Sequence, residues 1–406
     1  MKTEKKKKTK KWTKKRHSVV FAILWPIFRL IFKIRYGYKP VAEEKRTPKP
    51  CLIMANHLTT MDPFMLALSF HRPIYYITSE DLFTIPVISP IIRWLVAPIP
   101  KSKSRSDLNT IRHTLRVLKE GGTVAVFPEG NRSLSGGNWQ IDEAAAKLAK
   151  LAKVPLVLYH IDGGYGADPR WGKGVRKGKM CGYVVEIVPA EKLAEMSVEE
   201  IHEKIVTSLQ NTDIGKDIPF KNKRRAEYLE RALYACPSCG RRNVLRSEKT
   251  EIFCKECGLR AEYTETLGFR RIQGALPYKS VEEWFRWQKV HLEIALPYMG
   301  NEEILFSDES VEVRRILQRR KRKNLGKADI SATKQGLSIS YENGENATLA
   351  FAETLGATVV GKRKINFYLP DGDVLQVKGS ERFNSIKYLH VHDFMNSRKE
   401  TVKGNE

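Results

Sequence analysis

Long uninterrupted apolar runs are almost missing from these 406 residues, and the mean hydropathy is -0.40. That shortage argues against a multi-span membrane protein, since each span needs about 20 consecutive apolar residues. Acidic residues are also scarce: 46 Asp+Glu face 71 Lys+Arg, a net charge of +25. A deficit of that size implies a polyanionic partner, whether nucleic acid, an anionic membrane or a phosphorylated substrate. Cysteine is limited to six. Four fall in two Cys-x-x-Cys pairs, while Cys51 and Cys181 stand apart in apolar contexts, as buried small hydrophobes do. This distribution suits a reducing compartment and one metal site better than a disulfide framework. What remains is ample for packed units: 42% hydrophobic residues, over a length that suits two or three domains.

The basic charge is concentrated. Residues 1–16 hold ten basic side chains and one acid, Glu4, which leaves +9, and a second run over 314–327 contains Arg319-Arg320-Lys321-Arg322-Lys323. Residues 1–17 read as a disordered polybasic arm. The following apolar stretch, 18–34, is short for a span and carries Arg29 and Lys33. On a helical wheel Ile23, Ile27, Leu30 and Ile34 share a face with Leu24, Phe28 and Ile31, and Ala22, Pro26, Arg29 and Lys33 lie opposite. The expectation is a membrane-interfacial helix over 18–39 on an anionic membrane surface. A single span and a signal peptide are the alternatives, although no small-residue cleavage site follows.

From residue 50 onward, short apolar runs alternate with amphipathic stretches. Strands are expected over 51–55, 74–79, 123–127 and 155–161, and helices over 63–70, 82–95, 107–120, 144–152 and 199–209. Alternation of this kind implies an α/β domain, a layered sheet with helices, over 40–213. In the helix expected over 107–120, Leu108, Ile111, Leu115 and Leu118 recur at helical spacing.

Fold class alone does not give function, so the loops carry the argument. The first loop reads Asn56-His57-Leu58-Thr59-Thr60-Met61-Asp62-Pro63. Histidine is suited to accept a proton near neutral pH, and a carboxylate on its other ring nitrogen fixes the tautomer. On a continuous helix His57 and Asp62 lie about 140° apart, so they meet only if the chain turns between them. Asp62-Pro63, read as a helix cap followed by proline, supplies that turn. The second loop reads Val126-Phe127-Pro128-Glu129-Gly130-Asn131-Arg132-Ser133. Gly130 permits close approach of a ligand, and Arg132 offers a planar fork for phosphate. Glu129 is placed to bond a substrate hydroxyl or to hold Arg132. Taken singly, the first loop reads as a helix cap beside a loop histidine, and the second as a polar turn with a surface ion pair.

Together, Asn56-His57-x4-Asp62 and Phe127-Pro128-Glu129-Gly130-x-Arg132-Ser133 resemble the glycerolipid acyltransferases, especially the 1-acylglycerol-3-phosphate (lysophosphatidic acid) acyltransferases. The resemblance covers about 40–213. It implies transfer of a fatty acyl group from an acyl-CoA or acyl-carrier protein thioester to the free hydroxyl of a lysophospholipid acceptor. His57 is then the base, Asp62 orients it, and Glu129, Gly130 and Arg132 bind the phosphate headgroup. Backbone N–H groups near Gly130 are the expected stabilisers of the tetrahedral intermediate. Where the family has an apolar strand ending in arginine, this chain has Val96-Ala-Pro-Ile-Pro-Lys101, so Lys101 substitutes a point charge for a fork, with Lys103 or Arg105 as compensation. The strand over 154–159 matches the family's last motif and reads mainly as core. Such an enzyme is expected at the cytoplasmic face of the cell membrane, peripheral or monotopic. Another lysophospholipid or glycerol-3-phosphate is the alternative acceptor.

Downstream, Cys236-x2-Cys239-x14-Cys254-x2-Cys257, with Gly240 and Gly258 after the second cysteine of each pair, reads as a structural zinc ribbon over 235–265. Iron and a redox pair are the alternatives. A basic linker helix is expected over 214–234, and a connector with an aromatic helix, 281–288, over 266–300. The β-rich run over 301–398, with turns at Asp308-Glu309, 342–344 and 370–372 and a closing helix over 381–396, resembles a pleckstrin-homology-like domain. Its basic run over 313–327 reads equally as a lipid-headgroup contact and a solvated hairpin. The competing classes are a zinc-ribbon nucleic-acid-binding protein and a lipid-binding scaffold. Nucleic acid is not the expected partner, because the two loop motifs are then unexplained and no aromatic array for reading bases is present. The intact His57 and Asp62 argue against a scaffold.

Overall fold

The computed structural model describes residues 11–41, 47–79, 88–101, 108–211, 213–317 and 322–403. The chain divides into two compact units. The first comprises Met1–Arg132, Asn138–Gly164 and Lys179–Asn211; the second comprises Ser133–Gly137, Tyr165–Gly178 and Thr212–Glu406.

The first unit runs α1 (Lys15–Tyr36), β1 (Tyr38–Pro40), β2 (Cys51–Ala55), α2 (Asp62–Phe70), β3 (Ile74–Ser79), α3 (Ile88–Leu95), β4 (Ile99–Lys101), α4 (Leu108–Lys119), β5 (Thr123–Val126), α5 (Ala144–Ala152), β6 (Leu156–Asp162), β7 (Met180–Val188), α6 (Ala190–Glu195) and α7 (Val198–Ser208). Its strands form one sheet in the order β1-β7-β6-β2-β5-β3-β4. Strands β6, β2, β5, β3 and β4 are parallel, and β7 is antiparallel to β6. Central parallel strands are covered on both faces, which is why β2 is unbroken apolar sequence with every residue buried. On one face Leu52, Val124 and Leu158 pack with Val117, Ala149, Ile201 and Ile205 of the helices. On the other, Tyr159 meets the Phe70 ring at 5.4 Å and the Ser69 hydroxyl at 2.5 Å. The expected α/β layering is therefore present. Because the strands are parallel, the segments leaving β2, β4 and β5 emerge at one edge of the sheet.

One expectation for this unit changes. Residues 11–17 are ordered rather than part of a free arm, while 1–10 lie outside the described residues. The Trp12 indole donates to the Ala97 carbonyl at 2.8 Å, Thr13 N–H donates to Glu120 at 2.8 Å, and buried His17 meets the Tyr75 hydroxyl at 2.9 Å. Helix α4 buries Thr110, Thr114, Val117 and Leu118, and Leu108 is exposed; the Thr110 hydroxyl donates to the Pro100 carbonyl at 2.6 Å. Of the helix expected over 82–95, residues 82–87 lie outside the described residues.

The second unit holds two antiparallel sheets. Strands β8 (Leu245–Glu248), β9 (Glu251–Cys254), β10 (Arg260–Tyr263) and β11 (Phe269–Gln273) follow the order β11-β10-β9-β8. This sheet extends past the expected limit at 265 because Tyr263 pairs with Phe269, ring centroids 5.5 Å apart. Helix α8 (Val281–Ala295) is longer than the aromatic stretch suggested, and starts where the Ser280 side chain accepts the Glu283 N–H. Then come β12 (Phe306–Ile316), β13 (Arg322–Ala332), β14 (Gly336–Tyr341), β15 (Asn346–Ala350), β16 (Gly356–Val360), β17 (Lys364–Tyr368) and β18 (Val374–Lys378), in the order β15-β14-β13-β12-β18-β17-β16, and α9 (Ile386–Lys403). Asp308-Glu309 lies within β12 beside a bulge, where Ser310 has φ 51°, instead of making a turn. Helix α9 begins later than expected because Asn384 Oδ1 accepts the N–H groups of Ile386 and Lys387.

The basic linker helix over 214–234 does not form among the described residues; a single 3-10 turn, Leu229–Arg231, stands there. Arginines that reach distant carbonyls override the helical spacing. Arg225 donates to the Tyr263 carbonyl at 2.5 Å, and Arg231 donates to the Glu381 and Trp171 carbonyls at 2.6 and 3.0 Å. Tyr228 takes φ 73°, which no helix continues through.

Candidate active site

The chain turns sharply where β2 ends, and that turn brings His57 to Asp62. Asp62 is fully buried as the first residue of α2, one place later than a cap, with its carboxylate folded back over the loop. Its Oδ2 accepts from Leu58 N–H at 2.6 Å, Thr59 N–H at 2.9 Å and His57 Nδ1 at 2.9 Å, and its Oδ1 accepts from the Thr59 hydroxyl at 2.6 Å. A carboxylate with that many donors is acceptor-only, so Nδ1 carries the ring proton and Nε2 holds the lone pair. Nε2 has no hydrogen-bond partner among the described residues, and the side chain is 20% exposed. The Phe127 ring stacks on the imidazole at 4.4 Å and 23°.

Strand β5 lies beside β2, so its following loop stands next to His57. Glu129 is buried, and its Oε1 accepts the His57 backbone N–H at 2.9 Å. Burial, with the nearby Asp62 charge adding to it, pushes the Glu129 carboxyl up to about 8, against the lowering effect of the His57 and Trp139 N–H groups. Gly130 is exposed, with φ 66°, and its N–H donates to the Phe127 carbonyl at 3.1 Å. That donor closes a turn, which removes it from the expected oxyanion-stabilising set. Arg132 is half-buried, and its carbonyl accepts from the Trp139 indole at 2.9 Å.

Lys101 ends β4 on the same edge and is exposed. Three strand spacings separate β4 from β2, about 14 Å, so Lys101 does not join the His57 cluster directly. Lys103 and Arg105 lie outside the described residues. Reading by loop motif passed over Thr59 and assigned no task to Phe127. A threonine three residues before a helix-opening Asp is the local signal for the first; no local signal marks the stacking of the second.

The four cysteines also converge. Their Sγ atoms all lie within 4.8 Å of one another, with Cys236–Cys257 at 3.6 Å and Cys239–Cys254 at 3.9 Å. Four thiolates about a tetrahedral Zn²⁺ at 2.3 Å stand about 3.8 Å apart, so the donor set fits. Gly240 and Gly258 take φ 69° and 73°, the left-handed turn that wraps each knuckle.

Residues 40–159 match a family model described as Acyltransferase, so this segment is an acyltransferase domain. A chloroplastic 1-acyl-sn-glycerol-3-phosphate acyltransferase of Brassica napus is 26% identical over 39% of this chain and 46% of its own length. A 1-acyl-sn-glycerol-3-phosphate acyltransferase of Pseudomonas aeruginosa is 29% identical over 38% of this chain and 59% of its own length. The match to this chain thus spans about half the length of these curated relatives. The crystal structure of the 1-acyl-sn-glycerophosphate acyltransferase from Thermotoga maritima aligns over 48% of this chain and 78% of its own, at 24% identity and a TM-score of 0.40.

Proposed function

We propose that the protein is an O-acyltransferase that converts 1-acylglycerol-3-phosphate to phosphatidic acid at a membrane surface. The observation that carries this reading is the His57–Asp62 pair, 2.9 Å apart, beside the 127–132 loop in a domain of this family. In the reaction, His57 Nε2 takes the proton of the acceptor hydroxyl as that oxygen bonds to the thioester carbonyl carbon. The tetrahedral intermediate collapses, the C–S bond breaks, and the imidazolium returns its proton to the departing thiolate of coenzyme A or carrier protein. Asp62 holds the tautomer and stabilises the imidazolium, and Arg132 binds the acceptor phosphate. Glu129 acts on the base through its backbone and is a positioning residue.

Helix α1 is long and apolar enough to cross a membrane, by length and composition. Its outward stripe of Val19, Ile23, Ile27, Leu30 and Ile34 is exposed, whereas Phe32 and Tyr36 are buried. A helix docked along one side and apolar along the other suits the interfacial placement. We assign the four-cysteine site to structural zinc, with no open position for chemistry, and the seven-strand module with its closing helix to the pleckstrin-homology-like class.

The test is acyl transfer from labelled acyl-CoA and acyl-carrier protein to lysophosphatidic acid in anionic vesicles, comparing wild type with His57→Ala. Phosphatidic acid from wild type alone is expected. No product from wild type, with equal vesicle binding and zinc content, would defeat the assignment.

A further inference from the structure

Three neighbouring parallel strands carry three flat rings to one edge of the sheet. Tyr76 of β3 stands opposite Ala125 of β5, and Phe127 follows two residues later, just past the end of β5. On the other side of β5, Val126 stands opposite Met54 of β2, and His57 follows three residues on. The rings of His57 and Phe127 lie 4.4 Å apart at 23°, and those of Phe127 and Tyr76 lie 6.3 Å apart at 6°. Phe127, from the middle strand, thus meets both of the others. The Tyr76 hydroxyl donates to the carbonyl of Pro63, the residue after Asp62. Burial pushes this hydroxyl well above its ordinary range, so it stays a neutral donor. One tyrosine therefore grips the first turn of α2, which carries Asp62, and through Phe127 bears on the ring that Asp62 holds.

The Asp62 hydrogen bond alone leaves the imidazole underdetermined. It holds Nδ1 at 2.9 Å, but the second side-chain torsion of histidine is soft, and the ring can still tilt about that contact. The Nε2 lone pair lies in the ring plane, so the tilt decides where it points. A flat ring at 4.4 Å removes that freedom from His57, and a parallel ring removes it from Phe127. The face of a phenyl ring also carries negative charge density, which attracts the cation that imidazole becomes on taking a proton. Neutral imidazole gains less from this face, so the contact strengthens as the transition state forms.

We propose that Phe127 and Tyr76 are positioning residues for acyl transfer. Phe127 fixes the plane of His57 and favours its imidazolium, and Tyr76 fixes both Phe127 and the start of α2. This rests on His57 being the base. Both residues act through the imidazole and not on the acceptor, so their loss lowers kcat and leaves KM in place.

Steady-state transfer to lysophosphatidic acid in anionic vesicles tests this on the full chain, with Tm as the check of folding. Phe127 is half-buried, and Phe127→Leu is expected to fold and to lower kcat about 10- to 100-fold, with acceptor KM within about twofold. Phe127→Tyr restores a ring and should bring kcat back to within about threefold of wild type. Tyr76→Phe keeps the stack but loses the Pro63 bond, and should lower kcat about three- to tenfold; it carries the test if the leucine variant loses Tm. An unchanged kcat in Phe127→Leu and Tyr76→Phe, a rise in KM alone, or a tyrosine variant no faster than the leucine one would overturn the proposal. No phosphatidic acid from wild type would instead count against His57 as the base. The lock is then read without turnover, by NMR of ring-labelled histidine with the His57 signal assigned from His57→Ala. One sharp His57 signal is expected in wild type, broadened or shifted in Phe127→Leu. Identical signals in the two would overturn the lock whatever the enzyme does.

Discussion

Glu129 Oε1 accepts the backbone N–H of His57 at 2.9 Å, so the side chain of one loop holds the main chain of the other. The carboxyl stays protonated up to about 8, above its ordinary 4.5. Between those values the folded protein keeps a proton that the unfolded chain has released. The stability this group contributes is fully present below the unfolded value and is lost as pH rises through the folded one. Glu129→Gln keeps an oxygen for His57 and cannot ionise. Its Tm should therefore decline less than that of wild type across this range, and superimposable pH profiles would remove the assignment.

Asp62 serves both as partner of His57 and as anchor of the loop, and two substitutions separate these tasks. Asp62→Asn keeps the volume but disturbs the tautomer, and kcat should fall by roughly three to four orders of magnitude, as in other carboxylate–histidine pairs, with acceptor KM little changed. Asp62→Ala also strands the N–H groups of Leu58 and Thr59, at about 1–3 kcal/mol each. Urea unfolding should show the alanine variant clearly less stable than the asparagine one. Equal midpoints would mean that the loop does not depend on this carboxylate.

The exposed stripe of α1 predicts membrane affinity that can be removed without unfolding. Ile23 is 61% exposed and Ile34 74% exposed. Replacing both with Glu deletes about 2–3 kcal/mol of apolar burial in lipid, so vesicle binding should weaken by roughly tenfold or more. Tm in the absence of lipid should stay unchanged. Sedimentation with vesicles reads the first, and calorimetry the second.

Zinc removal should act on the second unit first. A chelator, or Cys257→Ser, is expected to release one metal per chain and lower the Tm of that unit, because ligand binding and folding are one equilibrium in such knuckles. Metal analysis with calorimetry decides it. Full Tm retention after chelation would show that the sheet stands without metal.

The sequence disclosed the parts governed by local rules. His57 and Asp62 are five residues apart, with proline after the second, and the turn between them follows from that spacing. The cysteine pairs state their own geometry in the same way. What stayed hidden depends on remote partners. Arg170 donates to the carbonyls of Gly361 and Val359 at 2.7 and 2.8 Å, about 190 residues away, and no local pattern announces that 165–178 joins the second unit. Residues 221–233 have helical periodicity, yet Arg225 and Arg231 satisfy distant carbonyls, and the helix is lost to them. Lys101 was read from its position in a motif, and its separation from β2 by three strand spacings follows only from the strand order.

Asn56 has one more consequence. It is fully buried, donates to the Ile161 carbonyl at 2.9 Å, and accepts the Ile161 N–H at 2.8 Å. A single amide thus imitates one rung of strand pairing between β2 and β6, just before the backbone departs to form the loop. Hydrolysis of that amide to a carboxylate would set an anion against the Ile161 carbonyl, and the imitation would fail. The residue next to His57 is therefore a point where chemical ageing of one side chain would loosen the loop from β6, and its burial is what slows that clock.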